Sequence, residues 1–152
     1  MRVFFSIIIL CAAVAVSGKA NKNKHAPKSG YASLIDCSHR RVLPGRQGSP
    51  IMDEYRFTIK WLNAEPPTLF YSYINNEWKK CGVQSSKDIP VRNLKNIKKG
   101  DVITLMPLDT VHDPVGNCIK PSNNSIYFKT NKSGWAGITA KVVKESPVLA
   151  LP

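Results

Sequence analysis

The segment from Tyr55 to Trp61 restricts the fold of this chain more than any other part of the sequence. Within it every second residue is large and apolar, and the residues between them are polar. A period of two is typical of a β-strand that buries one face and leaves the other in water. The segment therefore predicts a central strand whose apolar side chains, Tyr55, Phe57, Ile59 and Trp61, form the middle of a hydrophobic core.

Shorter β-rich segments follow one another along the rest of the chain. Asn75 and Asn76 favour a tight reversal between two of them, and Pro90 favours an edge position for another. The sequence predicts an all-β fold, a small antiparallel β-sandwich or barrel of about seven to nine short strands. Besides 55–61, the predicted strands are 31–37, 68–74, 77–83, 89–94, 102–106, 125–130 and 135–143, with long loops at 39–52 and 109–124.

Residues 1–20 have the pattern of a secretory signal peptide. Arg2 supplies a positive charge, the stretch from Val3 to Val16 is apolar except for Ser6, and small residues follow it. This stretch is shorter than the roughly 20 residues that span a bilayer. We therefore expect cleavage and secretion, with no stable membrane insertion. The sequence leaves open whether the secreted protein acts outside cells or inside a host cell.

The remaining residues divide into an arm, a domain and a tail. Residues 21–30 are rich in Lys, Asn and Ser and have no apolar periodicity, which predicts a flexible basic arm. Residues 31–146 carry the strand pattern and form the predicted β domain. Residues 147–152 are predicted to be a C-terminal tail.

The chain is strongly basic, with a formal net charge of +12. Such an excess attracts anionic partners, either an acidic protein surface or nucleic acid. Trp78 lies among polar residues beside two lysines on a predicted hairpin, and a second lysine pair lies in a predicted turn. The candidate partner-binding residues are Trp78, Lys79, Lys80, Lys98 and Lys99.

Three cysteines remain after the predicted signal peptide. In an oxidising compartment a pair is expected to form a disulfide. Cys37 and Cys81 both lie at the end or edge of strand-like segments, so we predict that they form the disulfide. Cys118 is then left over in a predicted loop, where it is buried, paired between chains or reactive.

The sequence contains few residues in patterns that carry catalysis. A secreted ribonuclease uses two imidazoles as general base and acid and a cation to hold the phosphate, roles for which His39, His112 and Arg40 are the candidates. No motif for a metal or a cofactor is present, and the acidic residues have no glycosidase signature. We therefore predict no catalytic residues, with a ribonuclease as the main enzymatic alternative.

Two sequons flank the predicted strand 125–130. Asn123 is followed two residues later by Ser125, and Asn131 by Ser133. Both lie in predicted turns, where a glycan is sterically tolerated. Asn123 and Asn131 are therefore the candidate glycosylation sites.

The order of these features resembles the small secreted effectors of plant-pathogenic fungi. The shared features are a signal peptide, a short Lys- and Asn-rich arm, an all-β body, and a first-strand cysteine (Cys37) with a partner several strands later (Cys81). The resemblance includes the MAX effectors and the ToxA-like group with its rust avirulence relatives, whose larger sandwich is closer in length to this chain. It implies a virulence protein that binds a host target and is not an enzyme.

Three functions follow from the sequence. The first is a secreted, non-catalytic interaction protein that binds a host protein through a basic β surface. The second is a secreted nucleic-acid-binding protein or ribonuclease that uses His39 and His112. The third is a lectin-like carbohydrate-binding module. Steep salt dependence distinguishes phosphate binding from sugar binding, because phosphate contacts release counterions.

Overall fold

A computed structural model describes residues 30–152, which fold into one strongly curled mixed sheet. The predicted signal peptide and all but the last residue of the predicted arm lie outside the described residues. The described part contains no α-helix, only two short 3₁₀ turns, at Leu94–Asn96 and Gly116–Cys118. The strands are β1 Ala32–Leu43, β2 Met52–Trp61, β3 Pro67–Ile74, β4 Glu77–Ser85, β5 Val102–Val111, β6 Ser125–Thr130, β7 Ala136–Thr139, β8 Lys144–Glu145 and β9 Leu149–Ala150.

The sheet order is β7-β6-β3-β4-β5-β2-β1-β8, and β9 pairs with β1 beyond β8. All pairs are antiparallel except those of β1 with β8 and β9, which are parallel. The predicted all-β fold is confirmed. Of the two architectures considered, the molecule adopts the barrel-like one, because one curled sheet encloses the core where a sandwich would need two sheets.

The core lies on the concave face of this half-barrel. Phe57, Ile59 and Trp61 of β2 have no exposed surface, as their period of two predicts. The ring of Trp61 packs edge-on against Phe128 of β6, with ring centroids 5.2 Å apart. Tyr55 is only half-buried, and its ring packs against the ring of His39, with centroids 4.5 Å apart.

Several strands are longer or shorter than the sequence predicts. β1 continues to Leu43 through a stretch predicted to be a loop, and β5 continues to Val111. The predicted edge strand 89–94 is reduced to an isolated bridge between Gln84 and Pro90. The segment predicted to be a tail, 147–152, contributes β9, which pairs with Val42 and Leu43 of β1.

In the described residues, no helix has the length and hydrophobicity that crossing a membrane requires.

Candidate functional site

The sheet opens between β3 and β4. The two strands pair from Ile74 and Glu77, beside the hairpin turn, to Tyr71 and Lys80. Beyond that point β3 continues to Pro67, paired only with β6, and the rest of β4 pairs with β5. The two strand edges that face each other across this opening are therefore not joined by a ladder.

Irregular register in both strands accounts for the separation. The pairing of β4 with β5 shifts between Lys79 and Cys81, and the pairing of β3 with β6 shifts between Pro67 and Leu69. A bulge inserts an extra residue into one strand, bends that strand and increases its local twist. The irregularity in β4 lies opposite Tyr71, where the β3–β4 pairing ends, and the one in β3 lies three residues further along, so both strands bend along the opening.

The chain after β4 folds back over the opening, where residues 89–91 bond to β4 and the 3₁₀ turn Leu94–Asn96 lies beside β3. The amide of Val91 donates to the carbonyl of Val83 on β4 (2.8 Å), and Ile97 inserts into the core. Asn93 begins the 3₁₀ turn, and its side chain accepts a hydrogen bond from the amide of Lys95 (3.0 Å). The backbone hydrogen bonds of this covering segment go to β4 or stay within the segment, and a groove remains between the segment and the edge of β3.

We call this groove the notch, and its volume is about 390 Å³. Its walls are largely apolar, and three exposed cations, Lys80, Arg92 and Lys95, lie around it. Among residues 30–152, no carboxylate lines it. The full lining is Pro67, Thr68, Leu69, Phe70, Tyr71, Lys80, Cys81, Arg92, Asn93, Leu94 and Lys95.

Aromatic side chains continue the wall of the notch across the convex face of the sheet. The ring of Tyr71 lies 5.9 Å from that of Trp135, and the ammonium of Lys129 lies 6.0 Å from the Trp135 ring. Tyr71 and Trp135 are half-buried, and Lys129 is exposed. The notch and this face form one continuous surface of aromatic rings and cations.

On the β1–β2 face, carboxylates neutralise the clustered cations. Glu54 accepts hydrogen bonds from Arg56 (2.8 and 2.9 Å) and also binds Arg40. Burial raises the pKa of Glu54, but the hydrogen bonds and charges of the two arginines outweigh it and leave the pKa lowered. The cations of the notch have no such partner among the residues that line it, which makes the notch electrostatically different from the β1–β2 face.

The prediction that Trp78 belongs to a partner-binding surface is wrong. Trp78 is only 7% exposed and packs against Tyr127 and Tyr73, with ring centroids 5.0 and 5.1 Å away. Val115, from the loop after β5, joins the same cluster. The polar neighbours of Trp78 in sequence conceal this burial, because the covering loop lies more than thirty residues further along the chain.

The four candidate lysines do not form one patch. Lys80 lies at the notch, whereas Lys79 is half-buried and its ammonium contacts Glu77 and Thr110, both at 3.3 Å. Lys98 and Lys99 are exposed in the turn before β5, close to the end of β2. They lie at the opposite end of β5 from Lys79. Arg92 and Lys95 also line the notch, although the sequence predicts only that they lie in or beside an edge strand.

The predicted disulfide between Cys37 and Cys81 is not present, and the structure describes both residues as buried free thiols. Cys37 is on β1 and Cys81 is on β4, with β5 and β2 between them. Three strand spacings amount to about 14 Å along the sheet, whereas a disulfide requires Cα atoms within about 7 Å. Cys118 is exposed.

Neither buried thiol is suited to nucleophilic chemistry. Burial, with a smaller contribution from the charge of Asp36, raises the pKa of Cys37 to about 11. Burial raises the pKa of Cys81 to about 12, although the neighbouring Ser72 hydroxyl opposes the shift. At neutral pH both residues are protonated thiols, and the thiolate is the nucleophile.

The two histidines of the ribonuclease hypothesis are not brought together. His39 faces Tyr55 on β2, which is level with the middle of β5, and His112 follows the end of β5. Strand geometry separates them by more than about 15 Å. Both ring nitrogens of His39 are also occupied, Nδ1 by Glu145 (2.7 Å) and Nε2 by Asp53 (2.9 Å).

This arrangement makes His39 a connection between three strands. It lies on β1, Asp53 lies on β2 and Glu145 on β8, while the backbone amide of Ser146 donates to the carbonyl of His39 (2.8 Å). Burial lowers the pKa of His39, but the hydrogen bonds and charges of the two carboxylates outweigh it and leave the pKa raised above 6.5. The other charged group of the cluster is Arg41, 3.8 Å from Asp53.

We expect this connection to be pH-dependent. A raised folded-state pKa means that the stabilisation is complete below pH 6.5, the ordinary value, and is lost as pH rises through the folded-state pKa. As the pH rises, the free energy of unfolding of the wild type should therefore fall by up to about 1 kcal/mol. Over the same pH range, hydrogen exchange of the Ser146 amide should become faster than expected from the intrinsic pH dependence of exchange. Urea unfolding between pH 5.5 and 9 measures this change.

The control is His39→Gln, whose unfolding free energy should lack this pH-dependent part. Histidine NMR should also show the pKa of His39 falling in Glu145→Gln. Parallel pH profiles of the wild type and His39→Gln would contradict the prediction.

The two sequons lie in exposed turns. Asn123 is exposed, and its amide group exchanges hydrogen bonds with Asn76 at the β3–β4 hairpin (2.9 and 3.2 Å). Asn131 is exposed in the bend after β6. Their glycosylation remains a prediction. Within residues 30–152, no group of three or more His, Cys, Asp or Glu side chains is arranged to hold a metal ion.

Comparison of the chain with protein-family models, with curated proteins and with solved structures gave no match.

Proposed function

We propose that this protein is a secreted, non-catalytic interaction protein that binds an acidic partner protein at the notch. The observation that carries the proposal is the combination of three exposed cations, an apolar groove and the absence of any carboxylate from its lining. The signal-peptide pattern and the resemblance to fungal effectors support a host protein as the partner and virulence as the role.

The chemistry of the other candidate groups supports binding rather than catalysis. The thiols of Cys37 and Cys81 are buried and their pKa values are raised. His39 has no ring nitrogen free to move a proton, and His112 lies far from it. These arrangements provide no pair of groups for acid–base chemistry.

The notch supplies both long-range electrostatic attraction and short-range apolar contact, the two interactions on which a protein interface depends. Its uncompensated cations attract an acidic partner over distances near a Debye length, about 8–10 Å at moderate salt. Its apolar lining, which includes the partly exposed Leu69 and Leu94 and the ring of Tyr71, provides short-range attraction by the burial of apolar surface. Charge therefore determines the association rate and partner choice, and apolar contact contributes to the lifetime of the complex.

The test is a charge reversal at the notch with a matched control elsewhere. Lys80→Glu/Arg92→Glu should weaken binding of a fluorescent peptide of alternating Glu and Val at least about tenfold, mostly through the association rate. Lys98→Glu/Lys99→Glu changes the net charge equally but lies outside the notch, so its effect should be several-fold smaller. Stopped-flow binding at low and physiological salt measures both. Equal weakening by the two variants would show that only net charge matters and would contradict the assignment of the site.

One observation favours a second candidate, single-stranded nucleic acid. The pair of Tyr71 and Trp135 with Lys129 nearby combines stacking surfaces with a cation, and bases stack on such surfaces with little sequence preference. An oligonucleotide that binds more tightly than the acidic peptide, and loses affinity in Trp135→Ala, would establish this candidate in place of the first.

A further inference from the structure

The geometry of the notch points to how the partner binds: we infer that an extended acidic peptide adds a strand to the open edge of β3. This inference rests on the proposed function and specifies its ligand and its binding mode. Strand addition to an open sheet edge is a recurrent mode of peptide recognition, in which main-chain hydrogen bonds give affinity and side-chain pockets give specificity.

The open edge follows from the strand pairing. β3 is paired with β6 over its length, but its pairing with β4 ends at Tyr71, so residues 67–70 present their second edge to the notch. The backbone hydrogen bonds of the covering segment go to β4 or stay within the segment, from Val91 to Val83 and from Ile97 to Leu94, and none reaches residues 67–70. An unpaired edge of this kind is a template for another strand.

The dimensions of the edge limit what it accepts. Four strand residues extend over about 13 Å, which corresponds to roughly four residues of an added strand. Side chains of that strand point alternately to opposite faces. One set would meet the apolar groups of the lining, Phe70 and Leu94, and the other set would meet the surrounding cations. The sequence that fits is an extended segment in which acidic residues alternate with apolar ones.

Charge excludes the two occupants that the chain itself could offer. The sequence between residues 21 and 30 carries Lys22, Lys24 and Lys28 and no acidic residue, so it is repelled by the cations of the notch. A second copy of a chain with net charge +12 is repelled for the same reason. The occupant is therefore an acidic segment of a different protein.

The experiment uses backbone methylation, because it removes hydrogen-bond donors without changing charge. Three peptides of alternating Glu and Val are compared: one unmodified, one N-methylated at the odd amides and one at the even amides. Only one edge of the added strand faces β3, so its amides there belong to one of the two methylated peptides. That peptide should bind at least about tenfold more weakly than the unmodified peptide. The other set should retain most of the affinity. In parallel, amide exchange measured by NMR should slow at those amides of residues 68–70 that point away from β6 when the unmodified peptide is added.

The outcomes separate this inference from the proposed function. If all three peptides bind equally, or both methylated peptides lose affinity equally, and the reversal of Lys80 and Arg92 still weakens binding, strand addition is overturned and the acidic-partner site stands. If none of the peptides binds even at low salt, the proposed function fails at this site. Dimerisation of the free protein with protection of residues 67–70 would assign the edge to a second copy and would also overturn the inference.

Discussion

Replacing Trp61 with alanine is expected to lower the free energy of unfolding by about 3–5 kcal/mol. Trp61 has no exposed surface and lies edge-on to both Phe70 and Phe128. Its indole Nε1 donates to the carbonyl of Glu65 at 3.0 Å. The substitution removes a large apolar contact in the centre of the half-barrel, leaves a cavity and leaves a carbonyl without its partner. Such a loss is a large part of the roughly 5–15 kcal/mol that stabilises a typical domain.

Guanidinium unfolding followed by far-ultraviolet circular dichroism measures this change, since tryptophan fluorescence itself is altered. Trp135→Ala provides the control, because it is the same substitution on the half-buried convex face. Its cost should be below about 2 kcal/mol, in proportion to the smaller apolar area that it buries. An unfolding free energy of Trp61→Ala within 1 kcal/mol of the wild type would refute the assignment of Trp61 to the centre of the core.

Replacing Glu65 with alanine is expected to lower the free energy of unfolding by about 2 kcal/mol, although the residue is only half-buried. Its Oε2 accepts a hydrogen bond from the hydroxyl of Thr130 (2.8 Å), and its Oε1 accepts one from the amide of Lys132 (2.9 Å). It therefore joins the turn after β2 to the turn after β6. Thr130 is fully buried, and the substitution takes away its charged acceptor.

Glu65→Gln is the matched control. The glutamine keeps a carbonyl oxygen that can accept from one of the two donors, so its cost should be about half that of the alanine variant. Thermal unfolding of the two variants beside the wild type tests the order. Equal melting temperatures for Glu65→Ala and the wild type would mean that these hydrogen bonds contribute nothing net to stability.

The interior of the sheet could be predicted from the sequence because its signal is local. Alternation along β2 identified Phe57, Ile59 and Trp61 as buried, and all three have no exposed surface. The Asn75–Asn76 reversal is also local. Both residues have positive φ angles, 52° and 64°, which asparagine tolerates better than most residues.

Strand ends at the rim could not be predicted in the same way. His39 and Arg41 follow Cys37 at alternate positions of β1 and therefore lie on the same face of the strand. Their side chains form ion pairs with Asp53 and Glu145, where a half-buried strand would carry large apolar side chains. Their sequence consequently lacks the alternation of large apolar and polar residues that marks a half-buried strand. The pairing of β8 and β9 with β1 joins residues more than 100 positions apart in the sequence, so no local pattern predicts it.

The candidate site depends on contacts between segments that are distant in sequence. Lys80 could be named from the sequence because it lies on a predicted hairpin. Arg92 and Lys95 become neighbours of β3 only because bulges part β3 from β4 and the following segment folds back over β4. The burial of Trp78 also depends on a distant segment, because Val115, from the loop after β5, packs in the same cluster. The sequence around Trp78 therefore predicts an exposed residue where the structure has a buried one.

The pairing of β1 with β8 and β9 has a consequence for the order in which the molecule can form. Residues 38–43, early in the domain, need partners from residues 144–150, so this edge cannot be completed until nearly the whole domain has left the ribosome. Contacts between such distant residues slow folding, because loop closure precedes the gain from pairing. A chain that stays incompletely folded during synthesis can be threaded through a translocation channel. If the chain is secreted as we propose, its final topology is reached on the far side of the membrane.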